Sequence, residues 1–156
     1  IVVSAMLIIY GIAFLFIERG NKTVKIKTMN DMTYKTALLI GLFQVLSIVP
    51  GTSRSGATIL GAMIIGCSRE LAAEFSFFLA IPVMFGVSFL KIITNDYVMT
   101  GNEWALLAIG MIVAYLVSLA AVKFLVNYVR KHDFKVFGWY RIALGILVIA
   151  YFTLIH

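Results

Sequence analysis

Pro50-Gly51-Thr52-Ser53-Arg54-Ser55-Gly56-Ala57-Thr58 sets one guanidinium, four hydroxyls and two glycines in a stretch that otherwise reads as membrane. Neither residues 38–49 before it nor residues 59–65 after it include a charged side chain. A charge at bilayer depth costs roughly 3 kcal/mol on insertion scales, so it persists where it is used. Arginine is a planar fork of donors suited to phosphate or carboxylate. Glycines let backbone N–H groups approach a ligand, and a helix starting near Gly56 would aim the positive end of its dipole at the same place. The stretch reads as an anion site buried in a membrane.

Composition agrees. Of 156 residues, 62% are hydrophobic and 13% charged, and the mean hydropathy is +1.03, well beyond a soluble domain. The chain is therefore expected to be a single all-α integral membrane domain, a helical bundle. The net charge of +6 is no nucleic-acid footprint, because cytoplasmic membrane loops are basic in any case. With Cys67 as the single cysteine, neither a disulfide framework nor a cysteine-based metal cluster is available. Ile1 opens inside an apolar run without a basic n-region or cleavage site, so the sequence reads as a piece whose upstream part is missing.

Taken in order, residues 1–17 are apolar and close to the length of a spanning helix. Residues 18–35 form a loop with Arg19, Lys22, Lys25, Lys27 and Lys35 against Glu18 and Asp31. Residues 36–49 and 57–66 are apolar, but at about 10–14 residues each neither crosses a roughly 30 Å core alone. The second carries Ala57, Gly61, Ala62 and Gly66, a small-residue face that invites a close helix partner. Residues 67–74 are a polar link with Arg69, Glu70 and Glu74. Residues 75–93 span, with Pro82 as an expected kink, and residues 104–126 and 139–155 span again, with Trp104 and Tyr128 as interfacial anchors. Arg141 is expected to snorkel to the nearby interface.

Charge decides the topology. If residues 36–66 crossed once, the basic 18–35 loop and the basic loop with Arg130, Lys131 and Lys135 would face opposite sides. If they enter and return as a re-entrant hairpin with its tip at 50–56, both basic loops are cytoplasmic and the Asp96 loop, with neither Lys nor Arg, is external. A non-helical tip at membrane depth is tolerated where it is buried in protein or lines a wet cavity, and half-helices meeting around an ion are a known device.

Arg54 is the candidate phosphate grip; its bland alternative is a staple on backbone carbonyls. Thr52, Ser53, Ser55 and Thr58 could donate to phosphate oxygens, or one could be a nucleophile beside a base. Ser53 or Ser55 as an N-cap explains one hydroxyl but not four. Gly51 to Thr58 also approximates a P-loop, yet the lysine is absent and a membrane segment precedes it. The tip holds no carboxylate, histidine or lysine, hence no local general base. Glu74 reads as a cap or a partner for Arg69, and His132 and His156 as solvated.

At these residues the sequence resembles the undecaprenyl-diphosphate phosphatase family of bacitracin-resistance membrane enzymes. The resemblance runs from Gly41-Leu42-Phe43-Gln44 through Pro50–Thr58 to Glu74-Phe75-Ser76-Phe77, and its specific part is Pro-Gly-x-Ser-Arg-Ser-Gly-Ala-Thr. It implies conversion of undecaprenyl diphosphate to the monophosphate, recycling the lipid carrier of cell-wall synthesis in the bacterial plasma (inner) membrane. It implies catalytic roles for Arg54, Ser53 and Thr58, with Gly51, Thr52, Arg54, Ser55 and Gly56 binding the substrate. It also implies Mg²⁺ or Ca²⁺, whose ligands would sit in the missing half, since no metal ligand is evident in this one. The family has two halves in inverted orientation; the glutamate-rich motif of the first is absent here, and Gln44 stands where that repeat carries a glutamate. The expected partners are therefore a polyprenyl diphosphate lipid, the bilayer, the missing N-terminal half and a second copy in a homodimer, with no nucleic acid. A transporter or lipid translocase with a midplane anion site is the alternative, and a structural subunit the third reading.

Overall fold

A computed structural model describes residues 2–20, 24–94 and 100–155. Lys22, Asp96 and His156 of the charge argument lie outside the described residues. The chain is all-α: α1 (Val2–Arg19), α2 (Tyr34–Val45), α3 (Arg54–Ile65), α4 (Arg69–Thr94), α5 (Gly101–Lys131) and α6 (Lys135–Ile155), with short 3₁₀ turns at Met29–Asp31 and Leu46–Ile48. α1, α4, α5 and α6 are long and apolar enough to cross a membrane, and α2 and α3 are not.

Local signals set most helix starts. Thr33 caps α2 by accepting from Thr36 N–H at 3.2 Å, Ser53 caps α3, and Ser68 Oγ accepts from Leu71 N–H at 3.2 Å at the head of α4. Thr100 and Glu103 form a capping box on α5, with Thr100 N–H donating to Glu103 Oε2 at 2.7 Å. α3 ends on Gly66, whose φ of +107° is the left-handed conformation glycine tolerates best.

The helices outrun the apolar segments. α4 starts at Arg69, so the link after α3 is only Gly66–Ser68, and α5 and α6 leave only residues 132–134 between them. Hydropathy marks the part of a helix that suits hydrocarbon, whereas its charged ends stay helical in the interface. α4 also continues through Pro82 without a break in its assignment.

α3 is the centre of the molecule. Every residue from Gly56 to Met63 is buried, and α1, α2 and α4 all pack on it. The core joins Tyr10 and Phe14 of α1, Ile40 of α2, Ala57, Leu60 and Ala62 of α3, and Leu71, Ala72 and Ala73 of α4. The small-residue face of α3 is thus filled from within the chain, contrary to the expectation that it waits for a partner. Ala57 and Ala62 are enclosed, a Cβ on Gly61 would land in the Phe43 ring, and Gly66 serves as the cap.

α1 packs most extensively on α6, and glycines allow it. A Cβ on Gly11 would fall 2.8 Å from Gly138 O, and one on Gly145 would fall 3.0 Å from Ser4 O, so the two backbones nearly touch. By contrast, residues 81–94 and 100–124 expose their side chains along two apolar helices, a surface suited to lipid or protein rather than water.

One end of the molecule gathers the charged segments. Glu18 accepts a two-pronged pair from Arg69, whose Nε is 2.9 Å from both carboxylate oxygens, and also accepts from Phe134 N–H at 3.1 Å. Arg130 pairs with Glu70 at 2.5 Å. Lys25 N–H donates to Gly66 O at 2.9 Å and Ser68 N–H to Ile26 O at 2.9 Å. The chain therefore enters and leaves the α2–α3 hairpin at one place, beside the turn between α5 and α6.

Candidate anion site at the hairpin tip

The tip is built from a turn and a cap. After the 3₁₀ turn, Thr52 N–H donates to Val49 O at 3.1 Å across Pro50 and Gly51, and Gly51 has φ of +92°. Proline at the second position and a positive-φ glycine at the third are the signature of a type II turn. The turn lies on the start of α1: a Cβ on Gly51 would sit 2.6 Å from Val3 Cα and Val3 O.

Ser53 is then the N-cap, its Oγ accepting from Gly56 N–H at 3.2 Å and lying 3.1 Å from Ser55 Oγ. α3 thus starts at Arg54, two residues before the expected Gly56, because the serine cap overrides the glycine as a start signal. Arg54 and Ser55 occupy the first turn, which contains no acid. A cation at the positive end of a helix is electrostatically misplaced unless an anion joins it. The Arg54 side chain makes no hydrogen bond or ion pair with the described residues, which leaves its fork free for a ligand rather than stapling carbonyls.

The four hydroxyls separate by environment. Ser53 is spent on capping, and Ser55 is exposed beside it. Thr58 is 1% exposed; its Oγ1 lies 3.1 Å from Arg54 O, 3.0 Å from Ser55 O and 2.6 Å from Ser76 Oγ. The two hydroxyls thus bond across the α3–α4 contact. Thr52 is 8% exposed, and its Oγ1 has no hydrogen-bond partner among the described residues. A buried hydroxyl left in that state is costly unless a ligand satisfies it.

Arg141 is the residue that sequence reasoning misplaced. It does not snorkel. From α6 its guanidinium reaches the first turn of α3, where a Cβ on Gly56 would be 3.1 Å from Nη1 and 3.4 Å from Cζ. Nη1 is buried without a hydrogen-bond partner among the described residues, and Cζ stands 5.8 Å from the centre of the Tyr10 ring. Only the contact of α6 with α1 brings it there; the signal available beforehand was an arginine two turns inside an apolar helix. Two arginines, an unpaired buried hydroxyl and first-turn N–H groups that lack intrahelical acceptors thus meet at one helix N-terminus. Guanidinium, hydroxyl and free N–H groups are all donors, a set that chemistry suits to an anion rather than a cation.

Tyr10 is about 13.5 Å along α1 from its Arg19 end at 1.5 Å per residue, roughly half the length of that helix. Among the described residues no carboxylate pairs with Arg54 or Arg141. Glu18 and Glu70 are engaged at the charged end, and Glu74 is exposed and unpaired among the described residues, Arg69 having taken Glu18 instead. The described residues contain no group of three or more His, Cys, Asp or Glu able to hold a metal ion, and a donor set of guanidinium and hydroxyl does not fit a divalent cation.

The chain matches the family described as Bacitracin resistance protein BacA over residues 1–147. It is 55% identical over 99% of its length to "Undecaprenyl-diphosphatase 1" of Clostridioides difficile, covering 56% of that protein. It is 60% identical over 96% of its length to "Undecaprenyl-diphosphatase" of Lacticaseibacillus paracasei, and 59% over 96% to that of Enterococcus faecalis, covering 57% and 56% of them. The chain spans somewhat over half the length of the curated relatives it matches. A tip sequence, a hairpin and an apolar helix set that agree with a match over nearly every residue lead to one statement: the chain belongs to the bacitracin resistance protein BacA family.

Proposed function

We propose that this chain supplies the diphosphate-gripping half of an undecaprenyl-diphosphate phosphatase of the bacterial plasma membrane. The reaction is hydrolysis of one phosphoanhydride bond: undecaprenyl diphosphate and water give undecaprenyl phosphate and inorganic phosphate. The observation that carries the reading is the pair of unpartnered buried groups, Thr52 Oγ1 and Arg141 Nη1, beside the free Arg54 at the head of α3.

In this reading Arg54 and Arg141 neutralise the diphosphate, and Thr52, Ser55 and the first-turn N–H groups donate to its oxygens. Ser53 and Thr58 act by holding the turn and the first helical turn in place. Phosphoryl transfer depends mainly on positioning and on stabilising charge spread over the oxygens, and an arginine contributes several kcal/mol to that. The general base and the ligands of Mg²⁺ or Ca²⁺ would come from an upstream half of the same protein. The long apolar helices would carry the lipid, and the charged end with Glu18, Arg69 and Arg130 would face the cytoplasm.

Phosphate release from undecaprenyl diphosphate in detergent tests the reading. Residues 1–156 alone, with Mg²⁺ or Ca²⁺, should release none, and co-production with a glutamate-bearing first half should restore turnover. Metal-dependent turnover by the chain alone would send the search for a base to Glu74. Lipid or anion movement without phosphate release would instead make it a translocase.

A further inference from the structure

We infer that Tyr10 is a positioning residue for Arg141, its ring serving as the surface on which the guanidinium is held at the head of α3. The inference rests on the phosphate-seat reading above for its purpose, and on geometry for its existence.

A guanidinium placed inside a bundle needs compensation for lost hydration. Among the described residues Arg141 has no carboxylate partner, and Tyr10 is the titratable group with which it interacts. Its Cζ lies 5.8 Å from the ring centre, within the range at which an aromatic face attracts a cation. Tyr10 itself is 8% exposed, so its ring cannot swing aside. The close contact of α1 with α6 at Gly11 and Gly138 sets these two residues beside each other from neighbouring helices. The Tyr10 hydroxyl also faces Thr52 without completing a hydrogen bond that would satisfy Thr52 Oγ1. One side chain thus lies beside both Arg141 and Thr52.

A ring face leaves the N–H edge of a guanidinium free, whereas a carboxylate partner would occupy it. Holding Arg141 against the ring rather than in an ion pair keeps Nη1 available to an incoming phosphate oxygen and restrains the long side chain's other rotamers. A ligand then meets an arginine already in place. Tyr10 does not touch substrate in this scheme; it acts through Arg141.

Arginine modification by phenylglyoxal, mapped by mass spectrometry on the detergent-solubilised full chain, reads the contact directly. In the wild-type chain Arg141 should be protected relative to exposed Arg19. Tyr10→Phe, which keeps the ring, should preserve that protection. Tyr10→Leu should raise the modification rate of Arg141 by about tenfold, as expected from loss of a desolvated cation–π contact, while Arg69, paired with Glu18, stays as it was. If Tyr10→Leu also unmasks Arg69, the fold has loosened and Tyr10→Met takes its place. Free reactivity of Arg141 in the wild type, unchanged protection in the ring-less variant, or loss in Tyr10→Phe equal to that in Tyr10→Leu would each overturn the inference. In the phosphate-release assay of the two-half enzyme, Tyr10→Leu should lower turnover, and adding it to Arg141→Ala should cost nothing more; additive losses would also overturn it. The modification pattern does not depend on turnover, so it would still decide the Tyr10–Arg141 contact if the phosphatase reading failed.

Discussion

Thr58 Oγ1 and Ser76 Oγ lie 2.6 Å apart, both buried, and this bond joins the first turn of the short tip helix to the long helix α4. It crosses 18 positions of sequence and fixes the depth at which the head of α3 sits. Removing either partner leaves the other hydroxyl buried without its mate. Thr58→Val and Ser76→Ala should each cost about 1–2 kcal/mol, and the double variant should cost about 1 kcal/mol less than their sum. Thermal unfolding in detergent of the four proteins measures the coupling. Strict additivity would show that the bond holds nothing.

Arg54 has no partner among the described residues, so its substitution should spare the fold and strike the chemistry. A lysine keeps the charge but not the planar fork. Arg54→Lys in the two-half enzyme should lose at least ~2 kcal/mol of transition-state stabilisation, about 30-fold in turnover, with membrane insertion unchanged. Near-full activity in that variant would remove Arg54 from the phosphate grip.

Gly51 faces two constraints at once: a φ of +92° and the Val3 backbone 2.6 Å from any added Cβ. Gly51→Ala should destabilise the protein by at least ~2 kcal/mol through strain and displacement of α1. Gly41 is the control, because a Cβ there meets nothing within 4 Å in the middle of α2. Gly41→Ala should be neutral or stabilising by up to about 1 kcal/mol. Equal unfolding midpoints for the two variants would contradict the packing of the tip on α1.

Single cysteines at Lys25, Asn102 and Asp133 should separate the two faces of the membrane. The native Cys67 is buried, and desolvation pushes its thiol pKa up, so Cys67→Ser is a safeguard rather than a necessity. Asn102 should react with an impermeant maleimide in intact cells, and Lys25 and Asp133 only after lysis. Labelling of Lys25 and Asp133 from opposite sides would be incompatible with a hairpin that returns to its own side.

The sequence by itself determined the class of molecule and singled out the stretch that carries the candidate site. Apolar runs of spanning length, two runs too short to span, and Arg54 among hydroxyls and glycines are properties of consecutive residues, legible because hydropathy and charge act locally. The cap at Ser53 was legible for the same reason, as one of two candidate serines. Tertiary structure alone decided that Arg141 turns inward to the head of α3, that Thr52 rather than Ser53 holds the unsatisfied hydroxyl, that Thr58 is tied to Ser76, and that Arg69 chooses Glu18 over Glu74. These are pairings between helices far apart in the chain. The close contact of α1 with α6 at Gly11 and Gly138 sets the first of them, and no local rule states which helix will lie against which.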